Sequence, residues 1–469
     1  MAGDLPTATD GPRPAAPLPV PRLTTGLRLH GEYQGGGFTE PRYLARRGDG
    51  QVVQLTLLLH LVAESIDGVR GTGAIAHRVS ARYGREVSAD NVDYLIEHKL
   101  RPMGITAPPG GDGHPVDAPR SDLLLTLAGR RVLLREHQVV RIARSLAWLH
   151  RPWVVATVLT AAVALDVWLF ALHGAMRPVL QVLDQPVLLL AVFGLTVASL
   201  LFHEFGHASA CHYGGARPGP IGCGLYVLWP SLYTDVTDVY RIGRAGRLRT
   251  DLGGVYFNVV FMLGLAGGYA LTGRPLFLAA VLVAHIEIVE QLMPIVRLDG
   301  YFILGDLAGV PDLFGKIRPT LLSLLPGRPV RPEVADLKRS ARAVVTVWVL
   351  TVVPLLAGEL GYVLWNLPRI LTTAAHSLSA QAADTLTAFS DRHFSTAAVG
   401  AIGTLTLLCP LVGGAYLAAR AIARLLHRIL VRPLSRRRAP AASHRPTPTA
   451  PHASAEQLPD AVHTLRRSS

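Results

Sequence analysis

Within Leu200-Leu201-Phe202-His203-Glu204-Phe205-Gly206-His207, two imidazoles stand four residues apart and a carboxylate directly follows the first. Positions i and i+4 of a helix share one face, so His203 and His207 can aim their nitrogens at one metal ion while Glu204 stands beside it. Zinc lowers the pKa of a bound water to about 7, and a carboxylate so placed can take that proton and later pass it to a leaving amine. The spacing therefore supports metal-assisted hydrolysis of a peptide bond, with His203 and His207 as ligands and Glu204 as general base. A chance triplet in a helix is the plain alternative. The setting weighs against it, because the motif ends a long apolar run, where each ionisable group costs roughly 2.5–3.5 kcal/mol or more.

Catalytic zinc sites usually have three protein ligands. The candidate for the third is Asp299, in Pro294-Ile295-Val296-Arg297-Leu298-Asp299-Gly300-Tyr301. At a rise of 1.5 Å per residue, His203 and His207 lie roughly 26 and 32 Å along the helix from Pro186, and Asp299 lies roughly 34 Å from Leu276 if that segment is helical. If both segments cross a bilayer in the same direction, the three groups meet near one face. Pro294 interrupts its helix and Gly300 lets the chain turn, which would aim the carboxylate sideways. A helix-ending turn residue is the alternative reading of Asp299.

The elements that must position these groups are apolar helices. Of 469 residues, 50% are hydrophobic and only 17% charged, too apolar for one ordinary soluble core. The net charge of +13 is concentrated in Arg clusters beside apolar runs, the distribution of the positive-inside rule, and no nucleic-acid partner is expected. Cys211, Cys223 and Cys409 have no paired spacing, so neither a disulfide framework nor a cysteine zinc site is indicated. Residues 1–20 lack the apolar core of a signal peptide and are expected in the cytoplasm.

In chain order, residues 1–25 read as a disordered leader. Residues 43–55 form a hairpin about Asp49-Gly50, and three short helices follow, carrying Leu57, Leu58, Leu61 and Val62, then Ile75, Val79 and Tyr83, then Val92, Leu95 and Ile96. This makes residues 40–107 a small α+β, winged-helix-like domain without a basic recognition helix. A linker and juxtamembrane segment, 108–150, leads to six apolar runs near 153–173, 186–210, 252–271, 276–295, 343–364 and 397–419. The fold class is mainly α: a polytopic membrane helix bundle of about six transmembrane helices, with a core at 151–320, further helices at 321–430 and a basic disordered tail at 431–469. Arg141, Arg144 and Arg151 before the first run, and Arg241, Arg244, Arg247 and Arg249 before the third, place both termini in the cytoplasm of a multi-pass cell-membrane protein.

Asp67-Gly68-Val69-Arg70, Ile75 to Tyr83, Val87 to Val92 and Leu100 to Gly104 resemble the small domain that recognises leader peptides in ribosomally made peptide biosynthesis. That resemblance implies a leader peptide added as a strand to the hairpin edge. A module that merely caps the membrane domain remains the alternative. Residues 150–320, with His203-Glu204-Phe205-Gly206-His207, Gly254-x-x-x-Asn258 and Leu298-Asp299-Gly300-Tyr301, resemble the site-2 protease family of intramembrane zinc metalloproteases, in its bacterial peptide zinc metalloprotease branch. The resemblance implies a Zn²⁺ cofactor held by His203, His207 and Asp299, Glu204 as base, and Asn258 as a substrate-positioning or oxyanion-side group. Where that family often has Asn-Pro before Leu-Asp-Gly, this chain has Met293-Pro294, so one polar contact of the site is expected to be missing.

Residues 225–238 alternate apolar and small polar types, readable as a hairpin with an edge for an extended substrate or as an interfacial loop anchored by Trp229 and Tyr233. Asp235 and Asp238 are not needed as ligands. His285, Glu287 and Glu290 inside an apolar run point to bundle-internal hydrogen bonds or to a polar path near Asn258. The expected partners are the bilayer, a peptide or membrane-protein substrate, and a leader peptide at the N-terminal domain. Two functions stay open: a membrane zinc metalloprotease acting in peptide maturation or export, and a non-catalytic membrane adaptor or export partner that holds a peptide. A metal-dependent transporter fits less well, since the histidines and Asp299 gather at one end of the bundle.

Overall fold

The computed structural model describes residues 20–48, 51–108, 128–174, 176–226, 229–436 and 464–465. Most of the expected leader, the Asp49-Gly50 turn, much of the 108–150 linker and most of the basic tail lie outside the described residues. The chain divides into two compact units, one of residues 1–32 and 41–120, the other of residues 33–40 and 121–469.

In the first unit, β1 (Arg28–Glu32), β2 (Tyr43–Arg46) and β3 (Val52–Leu55) pair antiparallel in sequence order. β2 and β3 are the expected hairpin, whereas β1 lacks a clear alternating signature and was not anticipated. Helices α1 (Leu57–Ser65), α2 (Thr72–Tyr83) and α3 (Ala89–Leu95) follow, and a π turn continues α3 to Leu100. Local chemistry sets their ends: Ser88 Oγ accepts from Asn91 N at the start of α3, and Gly84 closes α2 with φ +75°. The apolar faces of the three helices meet the sheet in one core that includes Leu55, Val62, Ile75, Val79, Val92 and Leu100.

The second unit is mainly helical. It opens with β4 (Ala128–Leu134) and α4 (Glu136–Leu146), where the sequence reads only as a linker. Helix α5 (Pro152–Asp166) continues as a π turn to His173, and α6 (Met176–Leu183) leads to α7 (Pro186–Tyr213). A hairpin of β5 (Ile221–Tyr226) and β6 (Trp229–Thr234) joins β4 in a sheet of order β4-β5-β6, with β6 at an edge. Then come α8 (Arg244–Thr272), α9 (Pro275–Leu292), α10 (Asp299–Ala308), α11 (Ile317–Ser323), α12 (Pro332–Ala335), α13 (Arg339–Ser390) and α14 (Phe394–Arg436).

Six helices among the described residues are long and apolar enough to cross a membrane: Pro152–His173, α7, α8, α9, α13 and residues 394–420 of α14. Their order matches the six apolar runs and their starts fall within four residues of those expected, except for α8, which begins eight residues earlier, at Arg244. The fifth differs in length, because α13 has 52 residues, or about 78 Å, against a hydrocarbon core of about 30 Å. In its second half, Gln381 and Thr385 lie against Gly403 and Gly400 of α14.

Helices α7 and α8 approach closely where Gly206 meets Gly253, since a Cβ on Gly206 would collide with the Gly253 carbonyl and one on Gly253 would come within 2.6 Å of the Gly206 carbonyl. Leu265, Leu278, Val281 and Ala284 fill the bundle between α8 and α9.

Residues 33–40 belong to this unit although they lie between β1 and β2 in sequence. Tyr33 OH donates to Asp306 Oδ1 (3.0 Å), and fully buried Arg247 donates to the same carboxylate (3.3 Å) and to Gln34 O (2.9 Å). The Arg247 guanidinium also lies 4.2 Å from the Tyr33 ring centroid. A buried charge needs such a partner set, and here the set ties residues 33 and 34 to α8 and α10.

Candidate metal centre

Helix α7 places His203 and His207 on successive turns near its C-terminal end, with Glu204 next to His203 and all three buried. The two Nε2 atoms lie 3.0 Å apart, the convergence that i, i+4 spacing demands. Asp299 completes the group, with Oδ2 3.3 Å from His203 Nε2 and Oδ1 3.3 Å from His207 Nε2. These three residues can hold a metal ion, and each is at most 3% exposed. Asp299 Oδ2 accepts no hydrogen bond among the described residues, so the geometry leaves a buried carboxylate oxygen facing the His203 imidazole.

Asp299 arrives by a route other than a continuous helix. α9 stops at Leu292, Met293 is extended, and α10 begins at Asp299 after a non-helical stretch. Pro294 has no N–H to continue α9, and Trp348 Nε1 donates to its carbonyl (2.7 Å), which helps hold the break. Gly300 is needed immediately afterwards, because a Cβ there would collide with the Leu292 carbonyl. The helical depth estimate for Asp299 is thereby corrected: the chain turns between α9 and α10, and the carboxylate sits in the first turn of α10, where a helix N-terminus favours negative charge. Burial alone would raise the Asp299 carboxyl, but the imidazoles of His207 and His203 outweigh it and hold the group well below the usual carboxylate range.

The histidines are oriented from behind. His207 Nδ1 lies 2.8 Å from Thr250 O on α8, and since a carbonyl only accepts, Nδ1 carries the proton and Nε2 faces the site. Gly254, one turn along α8, packs directly on both imidazoles; a Cβ there would collide with Nε2 of His203 and of His207. Asn258, a turn further, is buried, and its Oδ1 has no hydrogen-bond partner among the described residues. The Gly254-x-x-x-Asn258 spacing thus follows a helical face whose glycine lies against the histidines.

Glu204 is not in the metal-ligating group. Its Oε2 accepts from Thr234 Oγ1 (2.6 Å), and the same hydroxyl lies 3.1 Å from the Glu204 carbonyl. Of the two readings of residues 225–238, a hairpin forms, but earlier in the chain, as β5 and β6 over residues 221–234, and its last residue contacts Glu204.

Several polar groups have local roles. Asp235 Oδ1 accepts from Thr237 N (3.0 Å), and Asp238 Oδ2 accepts from Arg217 N (2.8 Å) and Arg241 Nε (3.1 Å). In the bundle, Ser199 Oγ donates to Glu287 Oε2 (2.9 Å) and His285 Nε2 lies 2.9 Å from Asp166 Oδ1 on α5, while Glu287 Oε1 has no hydrogen-bond partner among the described residues. Glu290 and Met293 are exposed. The three cysteines are free thiols.

Thr234 and Thr250 were not found from sequence: each is one threonine in a polar stretch, without a local spacing that ties it to a histidine or glutamate on another element. Comparison with protein-family models, with curated proteins and with solved structures gives no match for this chain.

Proposed function

We propose that the chain is a membrane-embedded zinc metalloprotease of the site-2 protease type, hydrolysing a peptide bond in or near the bilayer. The observation that carries this reading is the closed triangle of His203, His207 and Asp299 with Glu204 alongside. Ligands about 2.0–2.1 Å from a tetrahedral zinc lie about 3.3 Å from one another, close to the 3.0, 3.3 and 3.3 Å found here. Two nitrogens and one carboxylate also suit zinc better than calcium or magnesium, which prefer oxygen ligands. When bound, zinc would supply Lewis-acid polarisation of the scissile carbonyl and would acidify water beside it.

The protein's own groups do the rest. Glu204 takes a proton from the attacking water and returns it to the amine nitrogen as the C–N bond breaks. Asn258, buried a turn from Gly254, would meet the substrate on the α8 side. An extended peptide paired to the outer edge of β6 would run beside Glu204, because the last residue of that strand already contacts it. The N-terminal unit would capture a leader peptide as an added strand; its antiparallel sheet backed by three helices supports this part of the reading. The Arg-flanked apolar helices support a multi-pass cell-membrane protein with both termini in the cytoplasm.

The deciding test compares wild type with Glu204→Gln, purified in detergent, for zinc content and for cleavage of fluorescein-labelled casein. About one zinc per chain in both, with cleavage reduced roughly 100-fold or more in the variant, is expected. Undiminished cleavage by Glu204→Gln would remove Glu204 from the mechanism. Zinc-free protein that cuts nothing would leave the peptide-holding adaptor as the better reading.

A further inference from the structure

Thr234 has no place in the His203, His207 and Asp299 group, yet its hydroxyl donates a hydrogen bond to the Glu204 carboxylate, at 2.6 Å to Oε2. Thr234 is fully buried, and Glu204 is 4% exposed, so bulk water does not compete freely for this contact. A hydroxyl carries one proton, so at 2.6 Å it is donated to Oε2, and the 3.1 Å approach to the Glu204 main-chain carbonyl is the minor branch. The two contacts together hold side chain and backbone of one residue from a single point on another element. Thr234 is itself held in place as the last residue of β6, where it pairs with Ile221 of β5.

We propose that Thr234 is a positioning residue for Glu204: it occupies Oε2, so that Oε1 is the oxygen presented to water and the carboxylate keeps one rotamer beside the metal ligands. The inference rests on the metalloprotease reading above. Its physical basis is that a free glutamate samples several rotamers, whereas a general base acts only from within hydrogen-bond reach of the proton it abstracts. Displacement of a reacting group by about 1 Å can cost on the order of 100-fold in rate. The β-branched framework of threonine suits a strand end, and valine has the same shape without the hydroxyl, so the hydroxyl can be tested separately from the packing.

The test uses the full-length zinc-loaded protein in detergent and four forms: wild type, Thr234→Val, Thr234→Ser and Glu204→Gln. Two readouts are taken beside zinc content and Tm. One is casein cleavage, resolved into kcat and KM. The other is the Kd of acetohydroxamate, a small zinc chelator whose acidic O–H is read by the neighbouring base and which needs no knowledge of the natural substrate. Thr234→Val should keep its zinc, lower kcat by roughly 10- to 100-fold with KM little changed, and bind acetohydroxamate more weakly. Thr234→Ser, which restores the hydroxyl, should recover most of both. Wild-type behaviour of Thr234→Val in both readouts, with Glu204→Gln impaired, would overturn the role of Thr234 and leave Glu204 standing. Equal loss in Thr234→Val and Thr234→Ser would also overturn it, by assigning the effect to packing. If Glu204→Gln itself binds acetohydroxamate and cuts like wild type, the base assignment fails and the positioning role fails with it.

Discussion

Gly254 of α8 lies so close to His203 of α7 that any side chain at position 254 would occupy the space of the His203 Nε2 atom. The first consequence is a test of the metal centre that touches no ligand. Gly254→Ala should lose most of its zinc while the helices still assemble, because the added methyl must push the imidazoles away from Asp299. Gly264→Ala, on the same helix and with open space at its Cβ, should keep its zinc. Metal analysis of the two purified variants checks this, and equal occupancy would mean that the imidazoles are not the ligands.

The ligand assignment itself separates the acidic residues. His203→Ala, His207→Ala and Asp299→Ala should each reduce zinc to a small fraction of the wild-type content, since each removes one of three protein ligands. Asp238→Ala should hold zinc normally, because its carboxylate accepts from Arg217 and Arg241 and lies outside the ligand group. Zinc loss from the Asp238 variant with retention in Asp299→Ala would move the third ligand to the β6–α8 connection.

Asp306 balances a guanidinium that has no exposure to solvent. Asp306→Ala should therefore destabilise the protein by about 3–5 kcal/mol, the usual cost of leaving one member of a buried pair alone. Tyr33→Phe, which removes one hydrogen bond to the same carboxylate, should cost about 1 kcal/mol. Chemical denaturation in detergent reads both, and a smaller effect for Asp306→Ala than for Tyr33→Phe would show that the carboxylate does not anchor Arg247.

His150, just before α5, supplies a pH dependence. Burial, with a smaller contribution from Arg249, pushes its pKa down to about 4, and its Nε2 lies 2.9 Å from Ser209 Oγ. The unfolded chain takes up the proton near pH 6.5, before the folded protein does, so this group lowers stability as pH falls from about 6.5 towards 4. Between pH 7 and 5 the loss from His150 should be about 2 kcal/mol. His150→Gln, which can still donate to Ser209, should show a shallower fall in stability over the same interval. Parallel pH profiles for the two proteins would assign the acid sensitivity elsewhere.

The order of the helices and the pairing of His203 with His207 were legible in the sequence because they depend on short-range regularities. Apolar runs of bilayer length must become helices, since every backbone group in an apolar surrounding needs a partner within its own segment. Four-residue spacing must bring His203 and His207 to one face. Likewise, the patterns at Ile75 and Val79 and at Val92 and Leu95 marked the small helices of the first unit. Asp299 was legible as a candidate, but its approach was not: the break after Leu292 is fixed by Gly300 packing back against the Leu292 carbonyl and by a bond to Pro294 from Trp348, 54 positions away. The same holds for the Thr250 carbonyl behind His207, the Thr234 hydroxyl on Glu204, and the inclusion of residues 33–40 in the second unit through Arg247 and Asp306. Periodicity records which face of an element is apolar; which polar group meets which across two elements is decided only when the backbones pack, and here that is set by glycines that let α7 and α8 come close enough to touch.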